Sequence, residues 1–290
     1  MPKNLLVTGA GGQLGNEMRN VIAANQGVFD AFFTDVDTLD ITDARAVNEF
    51  VEKNSIDIIV NCAAYTAVDR AEDDMVMCAK LNIEAVANLA SAARNFGARL
   101  LHISTDYVFD GYGYRPYEEC DEPNPKSVYG STKLNGEREL MKFAPDSIIV
   151  RTSWLYSPYG KNFVKTMIAL GKERDTLSVV CDQVGTPTAA HDLAAAIFAI
   201  ITDKEWRSGI YHFSNEGAIS WYDFTKAIHR IAGITTCNVK PIKSKDYPTR
   251  AVRPFYSVLD KSKIKSTFGI TIPYWEDSLV KCIAEITGQL

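Results

Sequence analysis

The sequence predicts an α/β protein, built as a doubly wound parallel sheet with a smaller C-terminal α/β unit. Three observations predict it. Short apolar segments alternate with longer amphipathic ones through the first half, as strands buried on both faces of a parallel sheet require. Gly9, Gly12 and Gly15 follow the first apolar run directly and open a helical pattern. Tyr129 and Lys133, four residues apart, fall on one face of a later helix.

Taken in order, residues 4–8 (Asn-Leu-Leu-Val-Thr) form the first strand, and the glycine loop leads into a helix over about 14–24. The second strand is 29–35. Ile41-Thr42-Asp43 supplies the start signal for a helix over 43–53. A strand over 56–61, a long helix over 76–95 and a strand over 99–104 follow, then the tyrosine helix over 128–143 and a strand over 147–151. Beyond Trp154 the pattern loosens into a helix over 162–172, a strand over 177–180, the Gln183-Val-Gly-Thr-Pro187 turn, a helix over 190–201 and a strand over 209–214. The tail holds helices over 221–232 and 275–286 around a Pro- and Lys-rich stretch. The 190–201 helix and the 209–214 strand are expected to rejoin the first sheet. The expected division is therefore 1–155 plus about 190–216 for one domain, and about 156–189 plus 217–290 for the other.

The composition is that of an ordinary globular chain: 290 residues, 46% apolar and 23% charged. A net charge of −5 argues against a nucleic-acid binder, which needs an excess of Lys and Arg. Six scattered cysteines form no C-x-x-C and no disulfide framework, which fits reduced thiols in a cytoplasmic protein. Gly9 interrupts the N-terminal apolar run too early for a signal peptide. No apolar run is long enough to span a membrane.

The glycine loop has the context of a dinucleotide site. Gly9, Gly12 and Gly15, with Gln13 and Leu14 between them, allow a tight turn, close approach to a pyrophosphate and tight helix packing, with the phosphate at a positive helix end. This makes the first domain a Rossmann-type unit for NADH or NADPH. Asp35, closing the second strand, accepts hydrogen bonds from an adenosine ribose and repels a 2′-phosphate, which leans toward NADH. Asp40 and Ile41 are expected near the adenine. Cys62, Ala63, Ala64 and Tyr65, at a strand end, are expected beside the nicotinamide ribose.

Tyr129 and Lys133 make an acid/base pair, because a neighbouring ammonium stabilises phenolate and brings the tyrosine within reach of proton exchange. His102, between Leu101 and Ile103 in a strand, reads as a structural histidine. The tail carries Lys240, Lys243, Lys245, Arg250, Arg253, Lys261, Lys263 and Lys265 against Asp246 and Asp260. Arg253 is the best candidate there for a diphosphate contact, since guanidinium binds phosphate bidentately.

The T-G-x-x-G-x-x-G loop, Asn61-Cys-Ala-Ala64, Ser104-Thr105 and Tyr129-x-x-x-Lys133 together resemble the extended short-chain dehydrogenase/reductases. Ser104-Thr-Asp-Tyr-Val-Phe-Asp-Gly111, Ala64-Tyr-Thr-Ala-Val-Asp69, Arg151-Thr-Ser-Trp154, Asn162-Phe163, Asp182-Gln-Val-Gly-Thr-Pro-Thr188 and Arg253-Pro254 are similar to the dTDP-4-dehydrorhamnose reductase family within them, over nearly the whole chain. The resemblance implies reduction of the C4 ketone of a dTDP-4-dehydro-6-deoxy-L-sugar. Tyr129 is then the proton donor, Lys133 its electrostatic partner and ribose ligand, and Thr105 a hydroxyl on the same carbonyl oxygen. Thr66, Val68, Asp106, Tyr107, Trp154 and Asn162 are implied around the substrate with Arg253. Tyr107, where 4,6-dehydratases carry Glu, disfavours dehydration.

The resemblance also implies a homodimer. Some family members bind magnesium between subunits; Glu17 matches one such position, but Ala190-His191-Asp192 departs from the pattern, and no metal is expected. Two other readings stand beside the reductase: a noncatalytic regulatory subunit like the β subunit of methionine adenosyltransferase, and another sugar-nucleotide ketoreductase or epimerase. The intact Thr105, Tyr129 and Lys133 set favours an enzyme.

Overall fold

The computed structural model describes residues 2–288. Strands β1 (Lys3–Thr8), β2 (Phe29–Thr34), β3 (Ile58–Asn61), β4 (Arg99–Thr105), β5 (Ile148–Thr152) and β6 (Gly209–His212) form one sheet in the order β6-β5-β4-β3-β1-β2. Every pairing in it is parallel. The longer helices of the chain are α1 (Gln13–Ala24), α2 (Ala44–Lys53), α3 (Ala85–Phe96), α4 (Val128–Phe143), α5 (Phe163–Glu173), α6 (Ala190–Thr202), α7 (Trp221–Ile231), α8 (Ser262–Phe268) and α9 (Trp275–Thr287).

Alternation along each strand decides which helices cover which face. In β1, Leu5 and Val7 point to a core shared with Leu14 and Met18 of α1 and Leu193 and Ile197 of α6. Leu6 points the other way, to Val47 and Val51 of α2, Leu89 of α3 and Leu140 of α4. The sheet is thus covered on both faces, as its apolar strands demand. The chain leaves β1 toward β2 on one side and returns as β3 on the other, so a crevice opens at the carboxyl ends of β1 and β3. α6 and β6 do rejoin this sheet, with α6 against α1 and β6 beside β5.

A second core gathers α5, α7 and α9 around Tyr156, Phe224, Trp275 and Leu279. It is closed by a parallel pair, Thr176–Val180 with Asn238–Ile242. That second strand and α8 carry no period that announces them; both form because the tail folds back onto strand and helix surfaces laid down earlier in the chain. The expected 76–95 helix is present with one change. Between Met75–Ala79 and α3, Lys80–Glu84 is a π-helical turn, and it turns the buried Asn82 side chain inward.

Candidate active site

The crevice is a cavity of about 840 Å³. The glycine loop forms one end. Gly9 has φ +65°, and a Cβ there would lie 2.7 Å from Ala63 Cα, so only glycine lets β1 turn so close to the end of β3. Gly12 caps α1 without any side-chain hydrogen bond, which leaves the helix N-terminus free to meet an anion. This bare cradle fits a dinucleotide pyrophosphate. Asp35 follows β2 and is already engaged: Oδ2 accepts from the Gly11 N–H at 2.9 Å and Oδ1 from that of Val36.

The catalytic candidates converge at the middle. Ser127 caps α4, its Oγ accepting from the Gly130 N–H at 3.1 Å, and Tyr129 and Lys133 follow on that helix. A Cβ at Gly130 would meet the Tyr107 carbonyl oxygen at 2.2 Å, so glycine lets α4 press against the turn after β4. The Tyr107 and Tyr129 rings then pack edge to face, with centroids 5.5 Å apart. Thr105 ends β4 and donates to Asp106 Oδ1 at 3.0 Å. Asp106 is buried, and Oδ2 has no hydrogen-bond partner among the described residues. Burial pushes its carboxyl up to about 6.

Burial also pushes the Tyr129 phenol above its ordinary value, and the Thr105 hydroxyl beside it pulls it partway back. Burial draws the Lys133 ammonium down to about 8, against the opposing influence of Glu137. The expected contact between ammonium and phenol is replaced here: Lys133 Nζ donates to the Ile103 carbonyl at 2.6 Å and lies 3.3 Å from His102 Nε2.

At the far end Trp154 sits at φ +46° with its ring stacked on Trp221, centroids 3.5 Å apart. Left-handed backbone at a bulky residue is held only where the surroundings impose it. Arg253 joins this wall, Nη2 donating to Asp69 and Nη1 to the Tyr107 hydroxyl at 3.4 Å.

Of the sequence candidates, Gly9, Gly12, Gln13, Leu14, Gly15, Asp35, Asp40, Ile41, Ala63, Ala64, Thr66, Val68, Thr105, Asp106, Tyr107, Tyr129, Lys133, Trp154, Asn162 and Arg253 all line the cavity. Tyr65 does not. Its N–H donates to Asn82 Oδ1 at 2.9 Å and its carbonyl accepts from Asn82 Nδ2, which leaves the phenol directed away, onto Asp74. Asn162 lines the wall with its polar atoms spent: Oδ1 caps α5, and Nδ2 donates to Gln13 Oε1 at 2.9 Å. Among the described residues no three or more His, Cys, Asp or Glu side chains are grouped to hold a metal ion, and no helix is long and apolar enough to cross a membrane.

A family model described as RmlD substrate binding domain matches residues 3–287. The chain is 43% identical over 284 residues to the dTDP-4-dehydrorhamnose reductase of Aggregatibacter actinomycetemcomitans, covering 95% of this chain and 96% of that one. This chain belongs to the dTDP-4-dehydrorhamnose reductase family. A crystal structure of the reductase from Clostridium acetobutylicum is similar at 44% identity and a TM-score of 0.93, covering 99% of this chain and 100% of that one. One from Bacillus anthracis, in complex with NADP, is 38% identical with a TM-score of 0.93, covering 98% and 100%.

Several walls of this reductase-family cavity escaped the sequence reading. Leu39, Leu81, Lys161 and Trp221 all line it. Asp69, in a motif quoted for the resemblance, turns out to hold Arg253. An acidic residue facing a basic tail was the one available signal, because charge complementarity carries across loops while apolar lining residues look like any core residue.

Proposed function

We propose that this protein reduces the C4 ketone of dTDP-4-dehydro-L-rhamnose to dTDP-L-rhamnose with NADH or NADPH. The observation that carries the reading is the convergence of Thr105, Tyr129 and Lys133 in one cavity with a glycine-rich helix N-terminus that no side chain caps. A bound NAD(P)H supplies the hydride. Gly9, Gly12 and the first turn of α1 hold its pyrophosphate, with Asp35 and Asp40 toward the adenosine and Ala63 and Ala64 toward the nicotinamide ribose. Tyr129 donates a proton to the ketone oxygen, and the Thr105 hydroxyl orients that oxygen. Lys133 swings to the ribose hydroxyls, where its charge eases loss of the Tyr129 proton. Thr66, Val68, Asp106, Tyr107, Trp154, Asn162 and Arg253 surround the sugar nucleotide.

The division of labour follows: 1–155 with about 190–216 binds cofactor, and about 156–189 with 217–290 binds substrate. Family membership extends the reading to a cytoplasmic homodimer, tested by light scattering and cell fractionation. The central experiment is oxidation of NADH and of NADPH by purified protein with dTDP-4-keto-6-deoxy-L-mannose, with the product identified. Absence of turnover with both cofactors, in folded protein that binds them, would return the noncatalytic reading.

A further inference from the structure

Lys133 ends a chain of buried hydrogen bonds whose direction is fixed by a backbone N–H at its other end. Asn61, at the end of β3, is 1% exposed, and its Oδ1 lies 3.0 Å from the Ala63 N–H and 2.7 Å from Thr8 Oγ1. A backbone N–H only donates, so the atom facing it must be the amide oxygen. That settles the other end: Asn61 Nδ2 donates to His102 Nδ1 at 3.0 Å. His102 is fully buried, and burial holds its imidazole neutral by pulling its basicity well below the ordinary value. A neutral imidazole that accepts at Nδ1 carries its proton on Nε2. The Nε2–H therefore points at Lys133 Nζ, 3.3 Å away.

A neutral amine accepts that proton with its lone pair while donating to the Ile103 carbonyl, so every bond in the run from Ala63 to Ile103 is satisfied. An ammonium has no lone pair, and its N–H would face the Nε2–H of His102. The other titratable groups around Lys133 do not produce this effect. Tyr129 and Glu137 lie on its own helix, Glu137 bound to Arg151 at 2.7 Å, and Cys78 approaches from the Met75–Ala79 helix.

We propose that His102, locked as its Nε2–H tautomer by Asn61, is a positioning residue that parks Lys133 as a neutral amine against β4 and turns it out toward Tyr129 and the cofactor ribose when it is protonated. The idea rests on the reductase reading for its consequence in catalysis, but the tautomer is a property of the resting protein. Ala63 lines the cofactor end of the cavity, so the same bonds tie the lysine to the cofactor wall. Loss of the Nε2–H donor makes the parked ammonium tolerable and Lys133 more basic. The alkaline fall in activity then moves to higher pH.

Two measurements test this on the full-length protein. The first is the nitrogen-15 NMR signature of the four histidine rings, with His102 assigned by its loss in His102→Gln. The expected form is neutral with the proton on Nε2; a proton on Nδ1 overturns the proposal whether or not the protein reduces a sugar nucleotide. The second is the pH profile of kcat/KM, which reports the groups of the free enzyme. His102→Phe should carry the alkaline limb upward by about one pH unit or more, whereas His102→Gln, whose amide accepts from Asn61 and donates to Lys133, should keep the wild-type limb. An unmoved limb in His102→Phe, or an equal shift in both variants, overturns it. If His102→Phe does not fold, the ring signature and the His102→Gln profile still decide.

Discussion

Arg253 reaches across 184 residues of chain to Asp69, its Nη2 2.5 Å from Oδ2, while its other nitrogen meets the Tyr107 hydroxyl. The guanidinium is therefore aimed before any ligand arrives. It sits on the cavity wall with only about a quarter of its side chain exposed, at 26%.

Arg253→Ala should weaken the nucleoside diphosphate dTDP by about 10- to 150-fold, since a charge-assisted contact is worth roughly 1.5–3 kcal/mol. NADPH affinity should change little, because the glycine loop lies at the other end. Titration calorimetry with each ligand checks both; unaltered dTDP binding would remove Arg253 from the diphosphate site.

Tyr129→Phe removes the proton donor while keeping the ring that packs on Tyr107. Turnover should fall at least about 10²-fold with cofactor affinity nearly unchanged. Steady-state kinetics and NADPH fluorescence titration measure the two effects, and a mutant that turns over normally would exclude the phenol as acid.

Asp35→Ala should weaken NADH more than NADPH. The substitution removes a ribose acceptor and relieves repulsion of a 2′-phosphate. The Gly11 N–H also loses its partner, but that cost falls on both cofactors alike. The informative quantity is the ratio of the two dissociation constants, and Asp35 is not the selector if that ratio stays fixed.

Glu137 and Arg151 form a pair whose side chains are 3% and 2% exposed, with Ser104 also donating to the carboxylate. It ties α4, which carries Tyr129 and Lys133, to β4 and β5. Glu137→Gln leaves the guanidinium buried without its counter-charge and should cost about 3–5 kcal/mol of stability. A lower urea midpoint at unchanged slope is the expected record; a midpoint like that of the wild type would show that the pair contributes no net stability.

What the sequence determined by itself is what a few adjacent residues encode. The glycine loop after β1, the four-residue spacing that puts Tyr129 and Lys133 on one face of α4, and the β4 end at Thr105 are local patterns, and the structure places all of them on one cavity. Sheet order follows from repeated strand and helix units, which have few ways to connect. Tertiary structure alone decided which groups face each other across long separations. It bonds Asn82 to the backbone of Tyr65 and so takes that residue off the cavity wall, stacks Trp221 on Trp154, sets Asp69 against Arg253, and turns Lys133 to His102. No periodicity reports such meetings, because they depend on how packed elements cross and on which donors and acceptors burial leaves to satisfy one another.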